Sequence, residues 1–182
     1  MSSKQSDSAD SMSKAKDVSF MGVLLALAIV LSILEAGLPP IPFFPPNFKP
    51  GLANVVVMYC VMIVGYRQAV LINVLRSLFI LILRGPVAGL MSLSGGFLSV
   101  FVLILLIGLF ANKISYAMLS VISALFHNLG QLLVAGALMD FRLIIFYAPV
   151  LLVASVVLGM FTGFILGSIM PALNGLRSRF MI

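Results

Sequence analysis

The sequence predicts an all-α integral membrane protein with six transmembrane helices. Of its 182 residues, 62% are hydrophobic and 9% are charged, and the mean hydropathy is +1.24, well beyond the range of soluble domains. The apolar residues fall into runs close to the roughly 20 needed to cross a bilayer. Most Lys and Arg residues fall between those runs rather than within them.

Taken in order, the chain opens on "MSSKQSDSADSMSKAKD", residues 1–17, which is Ser-rich and mixed in charge and reads as a disordered cytoplasmic tail. It does not read as a cleavable signal peptide, because the apolar stretch that follows runs on without an A-x-A site. Residues 18–182 form a single membrane domain. Spans are expected at Val18 to Leu38, Leu52 to Tyr66, Gln68 to Leu83, Gly96 to Asn112, Ile114 to Leu138 and Leu143 to Met170. The second and third are short and are joined only by "GYRQ", so they form a tight hairpin. Between the third and fourth, "RGPVAGLMSLSGG" is apolar but interrupted by Gly and Pro. Non-helical backbone at that depth is tolerated only where protein or a water-filled cavity covers it, so a re-entrant or pocket-lining segment is expected. The first loop, "LPPIPFFPPNFKPG", is stiffened by proline. Its phenylalanines with Asn47 could make a compact cap over a pocket mouth, or the phenylalanines could dip into lipid headgroups.

Orientation follows from the basic residues. With the N-terminus inside, Lys4, Lys14, Lys16, Arg67, Lys113, Arg177 and Arg179 are cytoplasmic, against Lys49, Arg84 and Arg142 outside. This excess places both termini in the cytoplasm. It also accounts for the net charge of +6 as a topology signal, with no nucleic-acid partner. Cys60 is the sole cysteine, so no internal disulfide forms. One histidine with no neighbouring ligands makes no metal site, and no cofactor is expected.

Counting depth at about 1.5 Å per residue puts Glu35 roughly 24 Å from Ser19, close to the outer surface. His127 stands about 20 Å from Ile114 on the same scale, with Asn128 beside it and Gln131 one turn above. Lys49 and Asn54 flank the entrance of the second span. Arg76 lies near mid-depth with Asn73 on the same face. These residues could line one cavity open to the outside. The amides and imidazole could equally be interhelical hydrogen-bond glue, and Glu35 and Lys49 could be interfacial. Arg76 resists that explanation, because an arginine at mid-bilayer costs at least ~2.5–3.5 kcal/mol unless it faces a cavity or a partner.

Four stretches, "LSILEAGLPPIPFFPPNFKPGLANVV", "LRSLFILILRG", "SLSGGFLS" and "ISALFHNLGQLLVA", together resemble the Gx transporter family, which also carries the name heptaprenyl diphosphate synthase component I. That family looks like the S-components of energy-coupling-factor (ECF) transporters. The resemblance implies a six-helix bundle in the bacterial cytoplasmic membrane, with both ends inside and an outward pocket capped by the Pro-rich first external loop. It implies that Glu35, Lys49, Asn54, Arg76, Gly95, Gly96, His127, Asn128 and Gln131 carry the substrate-binding pattern. It further implies that small residues of the first helix, Gly22, Ala26 and Ala28, dock a partner subunit. The stripe Ser155, Gly159, Gly163 and Gly167 is then left for packing within the bundle.

The residues themselves exclude some chemistry. A prenyl-diphosphate synthase holds Mg²⁺ on clustered aspartates, whereas Asp7, Asp10, Asp17 and Asp140 are isolated. No G-x-x-x-x-G-K-[ST] loop is present for an ATPase. The expectation is therefore a non-enzymatic subunit, in one of two roles. One captures a vitamin-like, isoprenoid or flavin-related small molecule for ECF-type transmembrane and ATPase subunits. The other is an accessory protein that scaffolds a prenyltransferase or a flavin- and quinone-linked redox partner.

Overall fold

The computed structural model describes residues 2–37, 51–110, 114–138 and 140–181. Six helices follow one another: α1 Ser2–Gly37, α2 Asn54–Tyr59 continued by a π-helical turn Cys60–Val64, α3 Tyr66–Arg84, α4 Pro86–Phe110, α5 Tyr116–Leu138 and α6 Arg142–Met181. Five carry stretches long and apolar enough to cross a membrane; the sixth, Asn54–Val64, is apolar but shorter.

The distribution of side chains inverts that of a soluble protein. Large apolar residues face outward, among them Ile82, Ile145 and Phe164, all more than three-quarters exposed. Ser32, Glu35, Asn54, Asn73, Arg76, Ser77, Ser99, Ser120, Ser123, His127, Asn128 and Gln131 are buried. Lipid rewards the first arrangement and forces the second, since a polar group facing hydrocarbon has no hydrogen-bond partner. The chain is therefore a multi-pass membrane protein.

Three helices, α1, α2 and α4, differ from their expected spans for physical reasons. The polar tail before Val18, expected to lack order, is helical from Ser2; it contains neither Gly nor Pro to interrupt the helix. The second span is cut short. Every residue of α2 is buried, and at about 1.5 Å per residue its eleven helical positions, Asn54–Val64, rise only about 16 Å. It is the central helix of the bundle, packed against α1, α3, α4, α5 and α6, and it need not match the bilayer thickness because it does not face lipid. The segment expected to be re-entrant or pocket-lining is the first half of α4; it is helical rather than re-entrant, and its Ala88 and Ser92 line a chamber. Gly85, at φ 90°, makes the turn after α3, and Pro86 occupies the first helical position, where its missing N–H costs nothing.

Two packing surfaces define the bundle. The main apolar core joins Phe20, Leu24 and Ala28 of α1 to Val56, Val57 and Tyr59 of α2, Leu103 of α4 and Leu166 of α6. The most extensive helix contact is α5 on α6, built on the small-residue stripe of α6. A Cβ at Gly159 would sit 2.5 Å from Val121 Cα, and one at Gly163 would sit 2.8 Å from Ala117 Cα. Ser155 accepts a hydrogen bond from Asn128 Nδ2 at 2.8 Å.

The expected docking face of α1 is divided. Gly22 and Ala26 are exposed, and a Cβ at Gly22 would meet nothing within 4 Å among the described residues. Ala28 is fully buried beside Leu24. Two positions along a helix turn the side chain by about 200°, so Ala26 and Ala28 cannot share a face.

Candidate functional site

One end of the bundle gathers the end of α1, the turn that leads into α2, the last turns of α3, the first turns of α4 and the middle of α5. Ser32, Glu35, Gly51, Arg76, Ile80, Arg84, Ala88, Ser92, His127 and Gln131 surround a chamber of about 30 Å³ there. That volume holds one or two waters. The chamber lies deep in a membrane bundle, yet it brings together two guanidinium groups, a carboxylate, an imidazole and an amide.

Local structure explains each placement. Arg76, Ile80 and Arg84 lie one turn apart on α3, so the two arginines line the chamber at different heights. Glu35, in the last turn of α1, accepts a hydrogen bond from the Leu52 backbone N–H, which ties the entrance of α2 to α1. Gly51, at φ 84°, brings the backbone over His127, where a Cβ would approach the ring to 3.3 Å. A side chain would be strained by that φ and crowded by the imidazole. His127 is held from the other side by Gly95, at which a Cβ would come within 2.7 Å of the His127 carbonyl oxygen. Gly96 allows Asn73 to lie directly against the α4 backbone.

Arg76 has the least satisfied side chain of the group. It is 2% exposed. Its Nη2 donates to Ser92 Oγ at 3.2 Å, and Ser92 Oγ is 3.1 Å from Ser77 Oγ. Its Nε and Nη1 meet no acceptor among the described residues. Buried donors are almost always paired, and a guanidinium offers five N–H donors and no acceptor. Two of the three guanidinium nitrogens therefore keep hydrogen-bonding capacity in reserve.

The structure thus brings Glu35, Arg76, His127 and Gln131 together, with Gly95 packed against the His127 ring, and places Asn54 and Asn128 elsewhere. Asn54 is committed to the bundle interior: its Nδ2 donates to Ser123 Oγ at 3.0 Å, and its Oδ1 accepts from Ser99 Oγ at 3.1 Å. It joins α2 to α4 and α5 as interhelical glue. Asn128 faces α6 through Ser155, on the wall of a different, mainly apolar cavity of about 190 Å³. Gly95 and Gly96 allow close helix approach. Lys49 and the rest of the Pro-rich loop lie outside the described residues, apart from Gly51.

Sequence reasoning missed Ser32 and Ile80, and it singled out none of Arg84, Ala88 and Ser92 as site residues, although all three lie in "RGPVAGLMSLSGG", the stretch expected to be re-entrant or pocket-lining. Arg84 read as a loop residue because Gly85-Pro86 follows it; only its register with Arg76 and Ile80 points to the chamber. A larger cavity, about 520 Å³, opens at the opposite end between Met62, Ile63, Leu106, Ile107 and Phe110. Its wall is mostly aliphatic and aromatic, so volume alone does not locate the chemistry; a few convergent polar groups do.

No curated protein and no solved structure matches the chain. It matches the family described as heptaprenyl diphosphate synthase component I over residues 24–169. That match takes in α2 to α5 entire, the second half of the membrane part of α1 and most of α6, and the chain belongs to this family.

Proposed function

We propose that the chain is a substrate-capturing membrane subunit, similar in role to the S-components of ECF transporters. It takes in a small molecule at the Glu35 end, where the chamber, with room for one or two waters as it stands, widens to receive it, and it relies on partner subunits for energy. The observation that carries this reading is Arg76, a buried guanidinium whose Nε and Nη1 meet no acceptor among the described residues. Retaining such a charge in a membrane bundle is costly, and a ligand group that completes its hydrogen bonds gives it a use. The exposed Gly22 and Ala26 face of α1 is assigned to the partner subunit.

In the bacterial cytoplasmic membrane, the chamber end faces outward and both termini face the cytoplasm. Support comes from the basic residues: Lys14, Lys16 and Arg67 lie away from the chamber end, against Arg84 and Arg142 near it. Cysteines placed at Ser3 and Ser178 in a Cys60→Ala background are expected to resist an impermeant thiol reagent in intact cells. Labelling of either from outside reverses the orientation.

The family's name favours a second reading, in which the chain is the non-catalytic component of a prenyl-diphosphate synthase and serves a partner enzyme. Native mass spectrometry after mild detergent extraction separates the two. A retained small molecule, with or without ECF-type partners, supports capture. A chain without retained mass that copurifies stoichiometrically with a prenyltransferase or redox subunit supports the accessory role and overturns the first reading.

A further inference from the structure

We infer, resting on that reading of the chamber, that its ligand carries an oxyanion, either a carboxylate or a phosphate group. This group is seated on Arg76, and Arg84 provides a second cationic contact. The chamber wall carries two guanidinium groups against one carboxylate, Glu35. One Glu35 oxygen accepts the Leu52 N–H, so part of the sole carboxylate on the wall is engaged by the backbone. Arg76 spends Nη2 on Ser92 and keeps Nε and Nη1 without an acceptor among the described residues.

Ser92 and Ser77 form a hydroxyl pair behind the guanidinium, which fixes Arg76 Nη2 on the Ser92 side. Arg84 stands two turns further along α3, about 12 Å by helix rise, on the same chamber wall. Gln131 adds an amide from α5. Positive charge is therefore in excess on the chamber wall, and Arg76 has N–H donors to spare. A neutral ligand would complete some hydrogen bonds and leave the charge excess unbalanced. An oxyanion does both, through charge-assisted hydrogen bonds that guanidinium geometry suits.

The test uses the full chain in detergent, with unfolding followed by a thiol-reactive dye. Cys60 is the only cysteine and is buried, so the dye reports loss of the fold. Inorganic phosphate and acetate are titrated against chloride at constant ionic strength. The expected result is a saturable rise in the unfolding midpoint of the wild type with at least one of the two anions. Arg76→Gln should lose that rise. In Arg84→Gln the half-saturating concentration should increase roughly tenfold or more, the effect of losing one charge-assisted hydrogen bond. Should Arg76→Gln not fold, Arg76→Lys and Arg84→Gln decide the matter, with a weakened rise expected in each.

Repeating the melts in phosphatidylglycerol and phosphatidylcholine nanodiscs identifies the source of the oxyanion. Arginine-dependent stabilisation by phosphatidylglycerol alone assigns it to a lipid headgroup. Stabilisation by the free anions in phosphatidylcholine assigns it to a soluble molecule. No rise with any anion or lipid, or an equal rise in wild type and variants, overturns the inference. If native mass spectrometry then finds a retained molecule without an acidic group, the capture reading survives and the oxyanion does not; if it finds none, both fall.

Discussion

Gly163→Leu is expected to cost about 3 kcal/mol or more of stability, seen as a lower thermal midpoint and loss of monodisperse protein in detergent. The reason lies in the α5–α6 contact. A Cβ at this position would approach Ala117 Cα to 2.8 Å and Ser120 Cβ to 3.1 Å, and the first of these is backbone that cannot rotate away. Without a hydrophobic effect between helices in lipid, close packing of this kind carries much of the association. The control is Ala26→Trp, on an exposed face of α1. It should leave the thermal midpoint and any bound molecule unchanged and abolish recovery of a partner subunit. A silent Gly163→Leu, or an unfolded Ala26→Trp, reverses the assignment of the two faces.

Arg76→Leu should separate function from stability. Removing the guanidinium relieves a buried charge whose Nε and Nη1 have no acceptor among the described residues, and Ser92 keeps its contact with Ser77. Stability should therefore hold or rise. Binding should fall by roughly tenfold to more than a hundredfold, the range for lost hydrogen bonds to a charged group. Equilibrium binding and thermal melts on the same preparation check both halves. A variant that loses stability and keeps its ligand makes Arg76 a structural element.

The membrane fold was legible because hydropathy and length are properties of a local stretch. Arg76 was legible for a related reason: a charge at mid-span stands out against its own helix. Other features depended on how helices sit against one another. A hydropathy window cannot distinguish a helix facing lipid from one facing other helices, so α2 read as a membrane span, short but crossing, although it is enclosed by the other helices. Asn54 read as a binding residue because its partners, Ser99 and Ser123, come from distant helices. Arg84 and Ser92 fall in "RGPVAGLMSLSGG", which read as pocket-lining or re-entrant without singling out either residue, because Gly and Pro suggested a break; Pro86 instead starts α4, a position that suits proline. Ala28 was a different kind of miss. The 3.6-residue period already separates it from Ala26, and the likeness of a small-residue face overrode that geometry.

The central claim is that Arg76 receives its missing acceptors from a bound molecule, and an experimental density map of the purified wild-type protein at side-chain resolution tests it most directly. The prediction is non-protein density in the chamber between Arg76, Arg84, His127 and Gln131, with an atom about 2.7–3.2 Å from Arg76 Nε or Nη1. The contrary result is an Arg76 guanidinium whose Nε and Nη1 are both met by protein atoms, from Glu35 or from residues 38–50, with no further density in the chamber.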